Sequence, residues 1–131
     1  MSDLTDLQID DLKTRLVLRS RELKDEIREV LIRSDEQHHK DLAGAVADAG
    51  DDAVADMLVD IDTALADRHV MELRDVESAL QRMRDGGFGV CIECSTDIGY
   101  ERLTVYATAK RCIRCQQRHE QTHFRGATPT L

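Results

Sequence analysis

The chain has 131 residues and a net charge of −8, with 34% charged residues, 3% aromatic, no Trp and one Pro. That length allows one domain, or one domain with an extension, and the composition suits long helices better than an aromatic-packed β core. The acidic balance argues against unspecific nucleic-acid binding, which rests on neutralising phosphates, and favours a protein partner with a basic surface.

The opening MSDLTDLQIDDL has no apolar segment of the signal-peptide kind, and no apolar run is long enough for a transmembrane helix. The cytoplasm is therefore the expected compartment, with no membrane partner. Thiols stay reduced there, so the four cysteines suit metal ligation better than disulfides.

A helical arm is expected over roughly 4–44. Ile9, Leu12, Leu16, Ser20, Leu23, Ile27, Val30, Ser34, His38 and Leu42 step in threes and fours, the pattern of a coiled-coil seam. Glu22, Glu26, Lys24 and Arg28 read as part of its solvated face. A second arm follows over roughly 52–85. Its seam is Val54, Leu58, Ile61, Leu65, His69, Leu73, Val76, Leu80 and Met83, with a stutter around His69. Two such arms joined by an Ala/Gly/Asp stretch predict a mainly α fold, a long antiparallel coiled-coil hairpin. Its tip would lie near 45–53, with Gly44 and Gly50 at the turn.

That tip carries unusual charge. Asp41, Asp48, Asp51, Asp52, Asp56, Asp60, Asp62 and Asp67 occur with no Lys or Arg between residues 41 and 67. A solvated face would mix signs, and like charges at close spacing destabilise a helix. Asp48, Asp51 and Asp52 offer carboxylates for Mg²⁺, but a hairpin tip gives a substrate no pocket. Insertion of the tip into a positively charged or metal-containing cleft of a larger partner suits the pattern better.

Gly86-Gly87 should end the second arm. Beyond it, Cys91-Ile92-Glu93-Cys94 and Cys112-Ile113-Arg114-Cys115 are two C-x2-C pairs with 17 residues between them. This is the spacing of a four-thiolate zinc site, with no ligand position left open for water. One structural Zn²⁺ is expected, and buried or disulfide-bonded thiols are the alternative. His119 and His123 are further nitrogen ligands in principle, read here as residues of a short C-terminal helix, and His38, His39 and His69 as surface or seam residues. The domain reading is a helical hairpin over 1–86, a small C4 zinc finger with a C-terminal helix over 87–125, and a mobile tail over 126–131.

The segment GFGVCIECSTDIGYERLTVYATAKRCIRCQ resembles the zinc finger of the DksA/TraR family of bacterial transcription factors. The features carrying the likeness are Gly-Phe-Gly before Cys91, Ile98-Gly99, Arg102-Leu103, Thr108-Ala109 before Cys112, and the 17-residue spacer. Counting back from Cys91, the family's D-x-x-D-x-A tip motif falls on Asp48-Ala49-Gly50-Asp51-Asp52-Ala53.

The resemblance implies a non-enzymatic, monomeric bacterial regulator that binds RNA polymerase and does not bind promoter DNA. Its tip would enter the secondary channel and modulate open complexes, in larger members together with ppGpp. By matching position, Asp48, Asp51 and Ala53 would act at the tip, and Arg68 and Arg102 would face the polymerase. Asp75, Tyr106 and Gln116 stand where better-known members carry basic residues framing ppGpp, and Ala49 stands where larger members carry Pro. The rival reading is a zinc-ribbon nucleic-acid module using Arg111, Arg114, Arg118 and Arg125, although the finger lacks interleaved aromatics for base stacking. An enzyme reading ranks third.

Overall fold

The structure, a computed structural model, describes residues 3–58 and 64–127. The first helix, α1, spans Asp6–Ile32. Thr5 caps it in a reciprocal box, its hydroxyl accepting from the Gln8 N–H while the Gln8 side chain accepts from the Thr5 N–H. Two of the helix's orphan donors are satisfied in this way. Its buried stripe is Leu12, Leu16, Ser20, Leu23, Lys24, Ile27 and Leu31.

The expected continuous arm over 4–44 is instead two helices. After Ile32 the chain turns through 33–36 with no Gly or Pro in the turn. Ser34 supplies the reason, because its hydroxyl accepts from the Glu36 N–H at 3.2 Å and meets His39 Nδ1 at 2.7 Å. A serine side chain bonded this way gives the backbone an alternative to the helical ladder. The second helix, α2 (Gln37–Ala49), returns alongside α1 and buries His39, Ala43 and Val46. The seam thus shifts phase beyond Ile27: Leu31 and His39 are buried, whereas Val30 is half-buried and His38 exposed.

A 3-10 turn at Ala55–Leu58 follows, then α3 (Ala64–Asp85). The α1 and α3 helices run antiparallel, with Glu26 opposite His69 and Arg19 opposite Glu72. Val54, Leu58, Leu73 and Val76 are buried as the seam predicts, and Val70 and Ala79 join them. Ile61 and the side chain of Leu65 lie outside the described residues, as do Asp60, Asp62 and the side chain of Asp67. Gly86, at φ +85°, ends α3, and the Gly87 N–H closes back on the Arg82 carbonyl at 2.9 Å. This six-to-one closure is the glycine-dependent end expected there.

Two short helices complete the described chain, α4 (Tyr100–Val105) and α5 (Ile113–Ala127). Leu103 is fully buried, and α4 packs on α1, where Arg15 donates to the Thr104 carbonyl at 3.1 Å. The molecule is mainly helical, and among the described residues the only β pairing is one isolated bridge, Val90 to Asp97. No described helix is long and apolar enough to cross a membrane.

Candidate metal centre and acidic segment

Cys91 and Cys94 sit on a knuckle built by backbone bonds. The Cys91 N–H donates to the Thr96 carbonyl at 2.8 Å, and the Ser95 N–H to the Cys91 carbonyl at 3.0 Å. Ser95 takes φ +64° to close the turn, an uncommon conformation for a residue other than glycine. The Ile92 N–H donates to the Lys110 carbonyl at 2.9 Å, which brings the second pair of cysteines to the first. Cys112 and Cys115 straddle the start of α5, and the Cys115 N–H points at Cys112 Sγ at 3.5 Å.

The four Sγ atoms lie within 4.8 Å of one another, and Cys94 and Cys112 are 3.7 Å apart. A tetrahedron with Zn–S bonds of about 2.3 Å has edges near ~3.8 Å, so the donor set fits zinc. The thiols themselves call for a cation. Burial raises Cys91, but surrounding backbone N–H groups outweigh it and bring it down to about 6. Hydrogen bonding to Cys112, followed by desolvation, pushes Cys115 up to about 12. Four thiolates this close repel one another, and a divalent ion offsets that repulsion. The centre takes one structural zinc, held by Cys91, Cys94, Cys112 and Cys115, all four cysteines being free of disulfides. His119 lies on α5 outside the cluster, and the His123 side chain lies outside the described residues.

Around the metal, the Arg111 guanidinium pairs with Glu93 at 2.8 Å and holds that carboxyl below its ordinary range. Arg111 is only 13% exposed, so it is not free for phosphate as the nucleic-acid reading requires. Arg114 and Arg118 are exposed, and the Arg125 side chain lies outside the described residues. Arg102 is also partly buried. It donates to the Arg111 carbonyl at 3.3 Å, lies 5.3 Å over the Tyr106 ring, and leaves Nη2 buried without a partner. Arg68 is exposed on α3.

Asp75, Tyr106 and Gln116, far apart in sequence, line one cleft of about 130 Å³ with Arg82, Lys110 and Arg111. Positive charge therefore remains near these positions. Burial pushes the Arg82 guanidinium down from its ordinary value, and Arg111 is already paired.

The acidic segment does not stand at a free end. Arg21 donates from Nε and Nη2 to the two carboxylate oxygens of Asp51, at 3.0 Å each, beside the middle of α1. This pairing lowers the Asp51 carboxyl and raises the guanidinium. Lys24, expected on a solvated face, is instead only 5% exposed, and its Nζ donates to the Gly50 and Asp52 carbonyls at 3.1 and 2.7 Å. A cation there satisfies carbonyls at the end of α2. Glu77 of α3 accepts from the Val54 and Ala55 N–H groups at 2.7 and 3.1 Å. Asp48 and Ala53 are exposed. The sequence held a signal for Lys24 that periodicity alone passed over: it lies four residues after Ser20 and three before Ile27, on the widened edge of the buried stripe.

Residues 86–121 match the prokaryotic dksA/traR C4-type zinc finger. A Caulobacter vibrioides protein named RNA polymerase-binding transcription factor DksA is 28% identical over 120 residues, which is 90% of this chain and 80% of that protein. The protein of that name from Salmonella typhimurium is 26% identical over 113 residues, 86% of this chain and 72% of its own. The solved structure of transcription factor DksA2 from Pseudomonas aeruginosa shares the fold, with a TM-score of 0.59 and 24% identity, covering 90% of this chain and 87% of that one. The chain thus carries a dksA/traR C4-type zinc finger over residues 86–121, and its likeness to proteins named DksA runs on through the helices.

Proposed function

We propose that the chain is a transcription regulator that binds RNA polymerase directly. The observation that carries this is the relationship over 90% of the chain to proteins named for that binding. The working surface is the segment 48–53, whose Asp48, Asp51 and Ala53 fall on the family's tip motif. Inserted into the secondary channel, it would bring carboxylates near the catalytic centre and change the lifetime of open promoter complexes. Arg68 supports the docked arm from α3, and Arg102, held partly buried, shapes the finger surface beside it. The protein acts as a regulator and performs no chemistry of its own.

In this reading ppGpp couples more weakly than in members with basic residues at the three cleft positions. An anion there meets Asp75 and the neutral Tyr106 and Gln116, and of the cations that remain, Arg82, Lys110 and Arg111, the last is already paired with Glu93. In-vitro transcription from a ribosomal promoter tests the main claim, comparing wild type with Asp51→Asn and Ala53→Thr. Both variants should bind polymerase and lose repression. Full repression by either variant would sink the tip mechanism. Titration of core polymerase with and without ppGpp tests the coupling, and a large gain in affinity on adding ppGpp would contradict it.

A further inference from the structure

Asp51, expected with Asp48 and Ala53 to work on a partner, is occupied by the chain's own Arg21. Its neighbours are held as well, Gly50 and Asp52 through Lys24, and Val54 and Ala55 through Glu77. Three side chains from two helices thus contact five of the six residues from 50 to 55. The turn at 33–36 permits another arrangement. It contains neither Gly nor Pro, and steps of three and four residues lead through it from Ile27 and Val30 by way of the polar Ser34 and His38 to Leu42. The same sequence can therefore continue α1 straight into α2.

We propose that Arg21, Lys24 and Glu77 form an autoinhibitory latch, which holds residues 50–55 against the arm in a closed state. Release lets α2 extend α1 and presents Asp51 to the partner. The proposal rests on the reading of 48–53 as the polymerase-binding segment. The extension lengthens the arm by about 20 Å, since the 13 residues of α2 each add ~1.5 Å. A partner that binds only the open state is bound less tightly by the fraction of molecules closed, so weakening the latch raises apparent affinity.

The latch is tested without the partner by amide hydrogen exchange at Val54 and Ala55, followed by NMR in the zinc-loaded full chain. These N–H groups bond to Glu77, so they report on Arg21 or Lys24 only if the segment opens as one unit. Arg21→Ala should speed their exchange about two- to fivefold, the modest effect of an exposed ion pair. Lys24→Met keeps the buried stem and should speed it roughly tenfold or more. Affinity for core RNA polymerase should rise by similar factors in both variants, and also in Glu77→Gln, which approaches the latch from the other helix.

Unchanged exchange in both α1 variants overturns the latch, whatever the polymerase does. Faster exchange with unchanged affinity overturns its autoinhibitory role. If neither wild type nor variant binds polymerase, the functional reading falls and takes autoinhibition with it, while faster exchange would still establish the closed unit. Asp51→Asn separates the two roles: it should open the segment as Arg21→Ala does, yet lose repression.

Discussion

The zinc knuckle and the folded-back acidic segment are held by different kinds of interaction. In the knuckle four sulfurs converge within 4.8 Å, and one ion can bind them all. In the acidic segment an exposed ion pair, a buried lysine and a glutamate each contribute separately. The first arrangement has no competitor of similar energy, because no other site would satisfy four thiolates. The second is a sum of small terms, and such sums leave room for a second conformation. A rigid foot and a releasable segment are thus joined in one chain by α1 and α3.

Removing the metal should break this comparison most severely. Structural zinc in small fingers contributes on the order of 10 kcal/mol. Chelation, or Cys115→Ser, is expected to melt residues 86–122 while α1 and α3 keep most of their helicity, as followed by far-UV circular dichroism and amide NMR. Collapse of the whole helical signal would show instead that the foot and arm fold as one unit, joined through Leu103 and Phe88 in the shared core.

Next in size are the apolar contacts between α1 and α3. Leu73 is fully buried, and Leu73→Ala should cost about 2–5 kcal/mol by denaturant titration, with the zinc site still loaded. A similar loss of zinc affinity in that variant would erase the distinction between the regions. Lys24→Met comes third. It abandons two carbonyls at the end of α2, and a cost of roughly 1–3 kcal/mol is expected. A neutral outcome in urea denaturation would mean that water replaces the ammonium without loss.

Smallest are the exposed pairs. Arg19 grips both oxygens of Glu72, and this hydrogen bonding holds that carboxyl below its ordinary value. Both side chains are more than a third exposed, so Glu72→Gln should cost less than ~1 kcal/mol. Depressed carboxyls give a definite pH direction. The contributions of Glu72 and Asp51 are complete above the ordinary carboxylate range of about 4, and are lost as the pH falls through their lower folded values. A chemical-denaturation series at falling pH should show this shallow loss in wild type and a shallower one in Glu72→Gln. An identical slope in both would remove Glu72 from the account.

How far the sequence could be read differs between the regions for a physical reason. Cysteine spacing reports geometry directly, because a two-residue gap places both thiolates on one side of a turn. The α1–α3 pairing was equally legible from Leu12, Leu16, Leu23, Leu73 and Val76. The course of the chain between Ile32 and α3 was not. The spacing of Val30, Ser34, His38 and Leu42 is that of one continuous helix, whereas the chain turns at Ser34 and doubles back. A serine hydroxyl turning to Glu36 and His39 leaves no trace in hydrophobic periodicity. Nor does a lysine that bonds to carbonyls 26 and 28 residues away.

The sequence by itself determined the helical class, the four zinc ligands, the end of α3 at Gly86 and the concentration of acid between 41 and 67. Those features depend on local spacing, local conformational limits or simple composition. Only the tertiary structure decided where the acid goes, that Arg111 is paired with Glu93, and that Asp75, Tyr106 and Gln116 share one cleft. Each of these depends on which distant groups meet, and a pattern read along one chain does not encode that meeting when several partners of similar strength compete.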